Sequence, residues 1–186
     1  MKKRRAPMLA LVCLMTSLTT ACEREDPNLT AAKAVYAGDI KAVRTALDHG
    51  VSPNAMVDGR RLLWIAFEGR DGYAMSVVLM KHGADVNGRN AGGVTALMAA
   101  VHASQLEGVA FLLQRGADPN LEDDNGETCL FDLGYGAFQV EITRLLLAAG
   151  VDPCHKDKDG KTAEQHLDEA SPSRTLIAEA CHVSGR

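Results

Sequence analysis

Hydrophobic and small residues recur along the chain in short clusters at helical spacing, and each pair of clusters ends at a glycine. The clearest unit spans residues 89–120, and its apolar positions are Leu97, Ala99, Ala100, Val109, Phe111, Leu112 and Leu113. This spacing predicts two short helices joined by a turn. Thr95 is placed to cap the first helix, and Gly116 ends the second because glycine tolerates a left-handed backbone. Neither helix has enough apolar surface to fold alone, so the unit needs neighbours that stack on it.

The same unit recurs along the chain with a fixed period. The glycines that end the second helices are spaced 33, 33 and 34 residues apart, at Gly50, Gly83, Gly116 and Gly150. The residues that open the first helices keep the same register, at Arg61, Thr95, Thr128 and Thr162. Two landmarks in one register over more than one hundred residues indicate stacked copies of one structural unit.

This pattern resembles the ankyrin repeat, whose period is 33 residues and whose first helix opens with T-P-L-H-x-A. The phrase after the glycine repeats too, as G-A-D-V-N and G-A-D-P-N. The helix openings are R-L-L-W, T-A-L-M, T-C-L-F and T-A-E-Q, so apolar packing of Trp64, Met98 and Phe131 is expected where the family has its histidine. The resemblance implies an all-α repeat solenoid of stacked helix-turn-helix units with hairpin-like tips. It covers residues 29–182, as about four repeats and a C-terminal cap.

The amino terminus has the layout of a secretory signal. Residues 1–21 combine a basic start, K-K-R-R, with an apolar stretch too short to span a bilayer and a small polar run. The end of this segment, L-T-T-A-C, resembles a bacterial lipobox, which implies that Cys22 is lipidated and becomes the first residue. The alternative is an ordinary signal peptide cut near Ala21, which leaves Cys22 as a free thiol. Residues 22–28 are expected to form a short tether to the membrane.

Charge and composition exclude some partners. The formal net charge is −4, and without the four basic residues at positions 2–5 the remaining 16 basic residues face 24 acidic ones, a balance of −8. Binding to a phosphate backbone needs a basic face, so nucleic acid is not an expected partner.

The sequence offers no arrangement typical of catalysis, cofactor binding or a metal site. We find no nucleophile with a base and no glycine-rich phosphate loop between a strand and a helix. The acidic run at residues 122–127 lacks the twelve-residue ligand pattern of a calcium loop. Five residues near the C-terminus have the right chemistry for zinc but no common zinc spacing: Cys154, His155, His166, Cys181 and His182. We therefore expect a non-enzymatic protein without a cofactor or metal.

The cysteines favour one disulfide. Cys13 lies in the predicted signal and Cys22 in the lipobox. Cys129 takes the family's proline position at the start of a first helix, so it should be buried and free. Cys154 lies where the final hairpin begins, and Cys181 ends the last helix, which a stacked array brings back beside that point. Because disulfides suit an exported protein, a Cys154–Cys181 bond is predicted.

In ankyrin proteins the concave face, built from hairpin tips and first helices, commonly binds partners. Aromatic residues there are candidate anchors, and charges at the tips would steer a partner. The alternative is that the aromatic residues only cover the ends of the helical layers. Tyr36 and Tyr135 share a repeat position near the end of a first helix, while Tyr73 and Phe138 fall in turns enlarged by one residue. The predicted partner-binding residues are Tyr36, Arg60, Tyr73, Arg89, His102, Asp123, Asp124, Glu127, Tyr135 and Phe138.

The function follows from the resemblance. A small exported or lipidated ankyrin array is similar to the immunity partners of toxic effectors of type VI secretion, including membrane-directed lipases. This similarity implies a periplasmic protein-binding inhibitor that is a monomer when free and contacts the membrane only through its N-terminal lipid. Glu23 follows the cysteine where the sorting rule for the inner membrane wants Asp, so the outer membrane is favoured. The alternative is a scaffold or support protein for an envelope enzyme or a stress response.

Overall fold

The structure, a computed structural model, describes residues 25–133 and 138–184. The predicted signal peptide at residues 1–21, the lipidation site Cys22 and the candidate anchor Tyr135 lie outside these residues. The elements, in chain order, are α1 (Pro27–Ala37), α2 (Ile40–Asp48), β1 (Met56–Val57), β2 (Arg60–Arg61), α3 (Leu62–Glu68), α4 (Gly72–Lys81), α5 (Ala96–His102), α6 (Leu106–Gln114), α7 (Gln139–Ala148), α8 (Ala163–His166) and α9 (Pro172–Ser184).

The helices stack in two layers. The first helices α1, α3 and α5 contact one another in one layer, and the second helices α2, α4, α6 and α7 contact one another in the other. One apolar core lies between the layers, and its fully buried side chains include Val35, Leu62, Leu97, Val43, Leu79, Leu112 and Leu146. Since no helix buries its apolar side alone, each repeat is stable only against its neighbours. The predicted all-α repeat solenoid is confirmed.

The four periodic glycines end the second helices as predicted. Gly50, Gly83, Gly116 and Gly150 have positive φ angles of 93°, 87°, 87° and 85°. A Cβ atom added at any of the four would meet no atom within 4 Å, so conformation rather than space requires glycine here.

An asparagine four residues beyond each of the first three glycines joins its repeat to the next one. Asn87 donates its side-chain Nδ2–H to the carbonyl oxygen of Gly116 at 3.3 Å, and its Oδ1 accepts the amide of Asp118 at 2.9 Å. Asn54 makes the same pair of bonds to Gly83 and Asp85, and Asn120 makes it to Gly150 and Asp152. We call these three residues the asparagine ladder: Asn54, Asn87 and Asn120.

The hairpins between repeats form four tips, at residues 56–61, 90–94, 123–127 and 157–161. Neighbouring tips are joined by backbone hydrogen bonds. The amide of Ala91 donates to Gly59 O at 2.8 Å, that of Asp124 to Gly92 O at 3.0 Å, and that of Lys158 to Asn125 O at 3.0 Å. The tips therefore form one continuous edge beside the layer of first helices.

The extra residue of the second repeat lies in the turn between its two helices, as predicted. The left-handed residues of the two turns, Asp71 (φ 54°) and Ser104 (φ 53°), each stand 12 residues before the glycine that ends the second helix. Counted from the residue that caps the first helix, however, Asp71 is 10 residues along and Ser104 only 9, so the additional residue lies before the left-handed position. The helix α4 then starts directly after Asp71, at Gly72, whereas Gln105 separates Ser104 from α6. The helix α7 of the fourth repeat has 10 residues, as α4 does.

The predicted first helix of the fourth repeat is wrong over the residues that the structure describes. Residues 128–133 form turns, and the amide of Phe131 bonds to Thr128 O over three residues. Gly134 and Gly136 follow in the sequence, and glycine is a poor helix former. Cys129 and Leu130 are nevertheless buried at this position, so the segment fills the first-helix layer without being helical.

The two ends of the array close differently. At the amino end α1 begins at Pro27, two residues before the predicted boundary at 29, because the Asp26 side chain caps it and proline suits a first helical position. At the other end α9 packs on α7 and α8. Cys154 stands four residues beyond Gly150, at the position of the asparagine ladder that precedes the last tip, and it is bonded to Cys181 with the Cα atoms 5.1 Å apart.

This disulfide is expected to hold the C-terminal cap in place. The bond closes a loop with a sequence separation of 27, and loss of it in the double variant Cys154→Ser, Cys181→Ser should lower the free energy of unfolding by roughly 3 to 4 kcal/mol. Urea denaturation of both proteins measures the difference. Peptide mapping of the purified protein without reductant should recover the linked pair, and two free thiols would contradict the prediction.

Candidate binding groove

A concave groove of about 870 Å³ lies between the layer of first helices and the tips. Apolar side chains make most of its surface, and those facing it include Val57, Trp64, Ile65, Val94 and Met98. Charged and polar groups stand among them: Lys33, Tyr36, Asp58, Arg60, Glu68, His102 and Asp132. An apolar hollow with a few polar groups is the usual form of a binding site.

Arg60 and Trp64 form the cationic and aromatic part of the groove. The guanidinium carbon of Arg60 is 5.8 Å from the centroid of the Trp64 ring, a distance at which the ring attracts a cation. Arg60 Nη1, in the first tip, also lies 3.3 Å from Oε2 of Glu68, which ends α3. Trp64 Nε1 is buried and has no hydrogen-bond partner among the described residues, which is costly for a donor.

Asp132 is a partly buried carboxyl in the groove. Burial raises its pKa to about 7, and the negative charges of Glu127 and Asp123 add to the rise. The sequence pattern did not identify Asp132 as a site residue. The only signal was an acidic residue inside the apolar phrase T-C-L-F-D-L, and its approach to α5 becomes visible only when the repeats are stacked.

Three of the predicted partner-binding residues line the groove. Tyr36 ends α1 as predicted and is 58% exposed, Arg60 belongs to the first tip, and His102 ends α5. Phe138 is also exposed and directly precedes α7, but it does not line the groove. The structure therefore gathers Tyr36, Arg60 and His102 on one surface.

The predicted position of Tyr73 is wrong. Tyr73 lies in the first turn of α4 because Gly72 already begins that helix, and its ring stands 5.5 Å edge-on from the ring of Phe111 on α6. It is 47% exposed, yet it belongs to the layer of second helices and does not line the groove.

The predicted charges at the tips are engaged in holding the tips together. Arg89 donates to the carbonyl oxygens of Gly93 and Glu122, and its Nη2 is 3.9 Å from Asp124 Oδ1. Asp123 Oδ1 accepts the amides of Asn125 and Glu127, which closes the third tip. These side chains are part of the scaffold behind the groove, a role that the repeat period alone did not indicate.

Stacking of the last two tips brings together one group that could hold a metal ion. Ligand atoms of Glu127, Asp157 and His166 lie within 4.8 Å of one another. His166 Nε2 donates to Asp157 Oδ2 at 2.7 Å, and Asp157 Oδ1 accepts the amides of Asp159 and Lys161. Burial, followed by the charge of Asp123, raises the pKa of Glu127. A metal would have to break the hydrogen bond between Asp157 and His166, which already fastens α8 to its tip.

The paired helices, the asparagine ladder and the groove define a helical repeat protein of the binding type. Comparison with protein families matches residues 31–123 to the family described as Ankyrin repeats (3 copies), half of the chain. The chain therefore belongs to the ankyrin-repeat family, whose members are generally non-catalytic modules for protein–protein interaction. Comparison with curated proteins finds no match.

Within residues 25–133 and 138–184, none of the helices has the length and apolar character needed to cross a membrane.

The raised pKa of Asp132 predicts a pH-dependent stability difference. The folded protein keeps the Asp132 proton up to about pH 7, whereas an unfolded chain releases it near pH 4. The folded state thus binds more protons in this window, and Asp132 lowers stability progressively as pH rises through it. Replacement Asp132→Asn removes the effect, so the variant should match the wild type near pH 4 and exceed it on the order of 2 to 4 kcal/mol at pH 8.

Urea denaturation from pH 4 to pH 8 checks this difference. The exposed carboxyl of Asp168, between α8 and α9, offers a matched control, and Asp168→Asn should show no comparable trend. A constant difference between Asp132→Asn and wild type over the whole range would show that Asp132 ionises as an ordinary carboxyl.

Proposed function

We propose that this protein binds another protein in the concave groove and inhibits it. One observation carries the proposal: the groove combines an exposed tyrosine, a tryptophan and an arginine, Tyr36, Trp64 and Arg60, over an apolar floor. These are the residue types that supply most of the energy at protein interfaces. The groove also lies on a stacked array, so the three side chains are presented by neighbouring first helices and a tip.

The proposed setting is the bacterial periplasm, with a lipid on Cys22 that anchors the protein to the outer membrane. The layout of a lipobox, a short tether and an ankyrin array supports an immunity protein against a type VI secretion effector such as a lipase. A membrane anchor would keep the inhibitor where an incoming lipase acts. The free protein is proposed to be a monomer, because its repeats are capped at both ends by α1 and by α9.

Binding in the groove is tested with a matched pair of tyrosines. The partner is first captured from envelope extracts by cross-linking, and its affinity for each variant is then measured by calorimetry. Tyr36→Ala should cost on the order of 2 kcal/mol of binding free energy, because Tyr36 lines the groove. Tyr73→Ala removes an exposed ring from the second-helix layer and should bind as wild type does.

If Tyr36→Ala binds the partner with the affinity of wild type while Tyr73→Ala binds it more weakly, the groove is not the binding site. The captured partner itself separates inhibition from scaffolding. A secreted lipase, nuclease or peptidoglycan hydrolase that loses activity on binding supports the immunity role. An envelope enzyme that keeps its activity in the complex supports a scaffold.

The proposed anchor predicts that Cys22→Ser abolishes both fatty-acid labelling and partitioning into detergent. Lipidation of the wild type should add mass at Cys22 and require the lipoprotein signal peptidase. Labelling with a fatty acid and intact-mass measurement are the direct readouts. A Cys22→Ser protein with the mass, labelling and membrane association of wild type would rule out the lipid.

A further inference from the structure

The two cations of the groove have ion-pair partners, whereas two of its carboxyl groups do not. Lys33 forms an ion pair with Glu25, and Arg60 forms one with Glu68, so both cations are already balanced. Asp58 and Asp132 have no hydrogen bond and no ion pair from their side chains with any described residue, and of these two only Asp132 is partly buried. The groove therefore has an unpaired, partly buried carboxyl group at the end formed by α5 and the fourth repeat, and a nearby cation would favour its charged form.

The surroundings of Asp132 increase its need for a cation. The charges that raise its pKa are both negative, Glu127 and Asp123 of the third tip. His102 on α5 lines the same groove, but its side chain is exposed to solvent. It therefore offers no buried positive charge that would balance Asp132. A partly buried carboxylate without a partner is poorly solvated, and pairing with a cation recovers part of that cost.

We infer that the groove recognises a lysine or arginine side chain of the bound protein, flanked by apolar residues, and that Asp132 receives its charge. This inference rests on the proposed function, since it names the chemistry of the segment that the groove binds.

The apolar lining suits the stem of such a side chain. Val94, Met98 and Ala99 line the groove together with Asp132, and the methylene groups of lysine or arginine pack on surfaces of this kind while the charged end reaches the carboxylate. Arginine would add a second parallel hydrogen bond to the two carboxylate oxygens. A volume of about 870 Å³ leaves room for apolar neighbours of the basic residue beside Trp64 and Phe67.

The test uses a displayed library of random twelve-residue peptides, selected on the immobilised full-length domain. Peptides that bind wild type and lose binding to Tyr36→Ala occupy the groove. Among these peptides, lysine or arginine between apolar residues should be enriched. Their affinity should fall at least about tenfold for Asp132→Asn and stay unchanged for Asp168→Asn, because loss of one partner of a buried charge pair weakens binding by this much or more.

The outcomes separate the inference from the proposed function. Groove-binding peptides without a basic residue, or with equal affinity for wild type and Asp132→Asn, overturn the inference and leave the groove as a binding site. Selection of acidic peptides overturns it as well. A library that yields no peptide sensitive to Tyr36→Ala counts against the groove itself, and so against the proposed function. Denaturation of Asp132→Asn verifies that the variant is folded.

Discussion

Hydrogen bonding by the asparagine ladder sets how one repeat sits on the next. Each ladder side chain spans two repeats, since it donates to the glycine carbonyl that ends a second helix and accepts the amide two residues later. The glycine must adopt positive φ to present that carbonyl, so the backbone geometry and the bond between repeats depend on each other. Because the offset is the same at three successive positions, the first helices line up and a continuous groove forms along them.

The end of the ladder explains the C-terminal cap. Position 154 is where the ladder would place its next asparagine, before the tip at 157–161 and the helices α8 and α9. A cysteine stands there instead and is bonded to Cys181 on α9. The cap thus replaces two hydrogen bonds between repeats with one covalent link, which suits a last helix that offers fewer buried apolar residues than the interior repeats. Such a closed end leaves the groove as the main concave surface for a partner.

The repeat period was sufficient to predict the fold but not the details of the site. Gly83 and Gly116 could be recognised in the sequence because the backbone that ends a second helix requires a positive φ, whichever residues surround it. The place of Tyr73 could not be predicted, because the enlarged turn ends at Asp71 and Tyr73 falls inside α4, in the layer of second helices. Asp132 could not be predicted for another reason. Its pKa and its place in the groove depend on residues brought close by stacking, among them Met98 and Glu127, and no local motif records them.

The measurement that tests this account most directly is amide hydrogen exchange of Asp152 in an Asn120→Ala variant. In the wild type this amide donates to Asn120 Oδ1 at 2.8 Å, so we expect slow exchange. The variant should exchange the Asp152 amide as fast as an exposed tip amide, keep protection at Asp118, and lose roughly 1 kcal/mol of unfolding free energy, because the two hydrogen bonds that it removes are exposed to solvent. Asn125→Ala, at an exposed tip, is the matched control. Unchanged protection of Asp152 in Asn120→Ala would show that core packing alone positions the repeats.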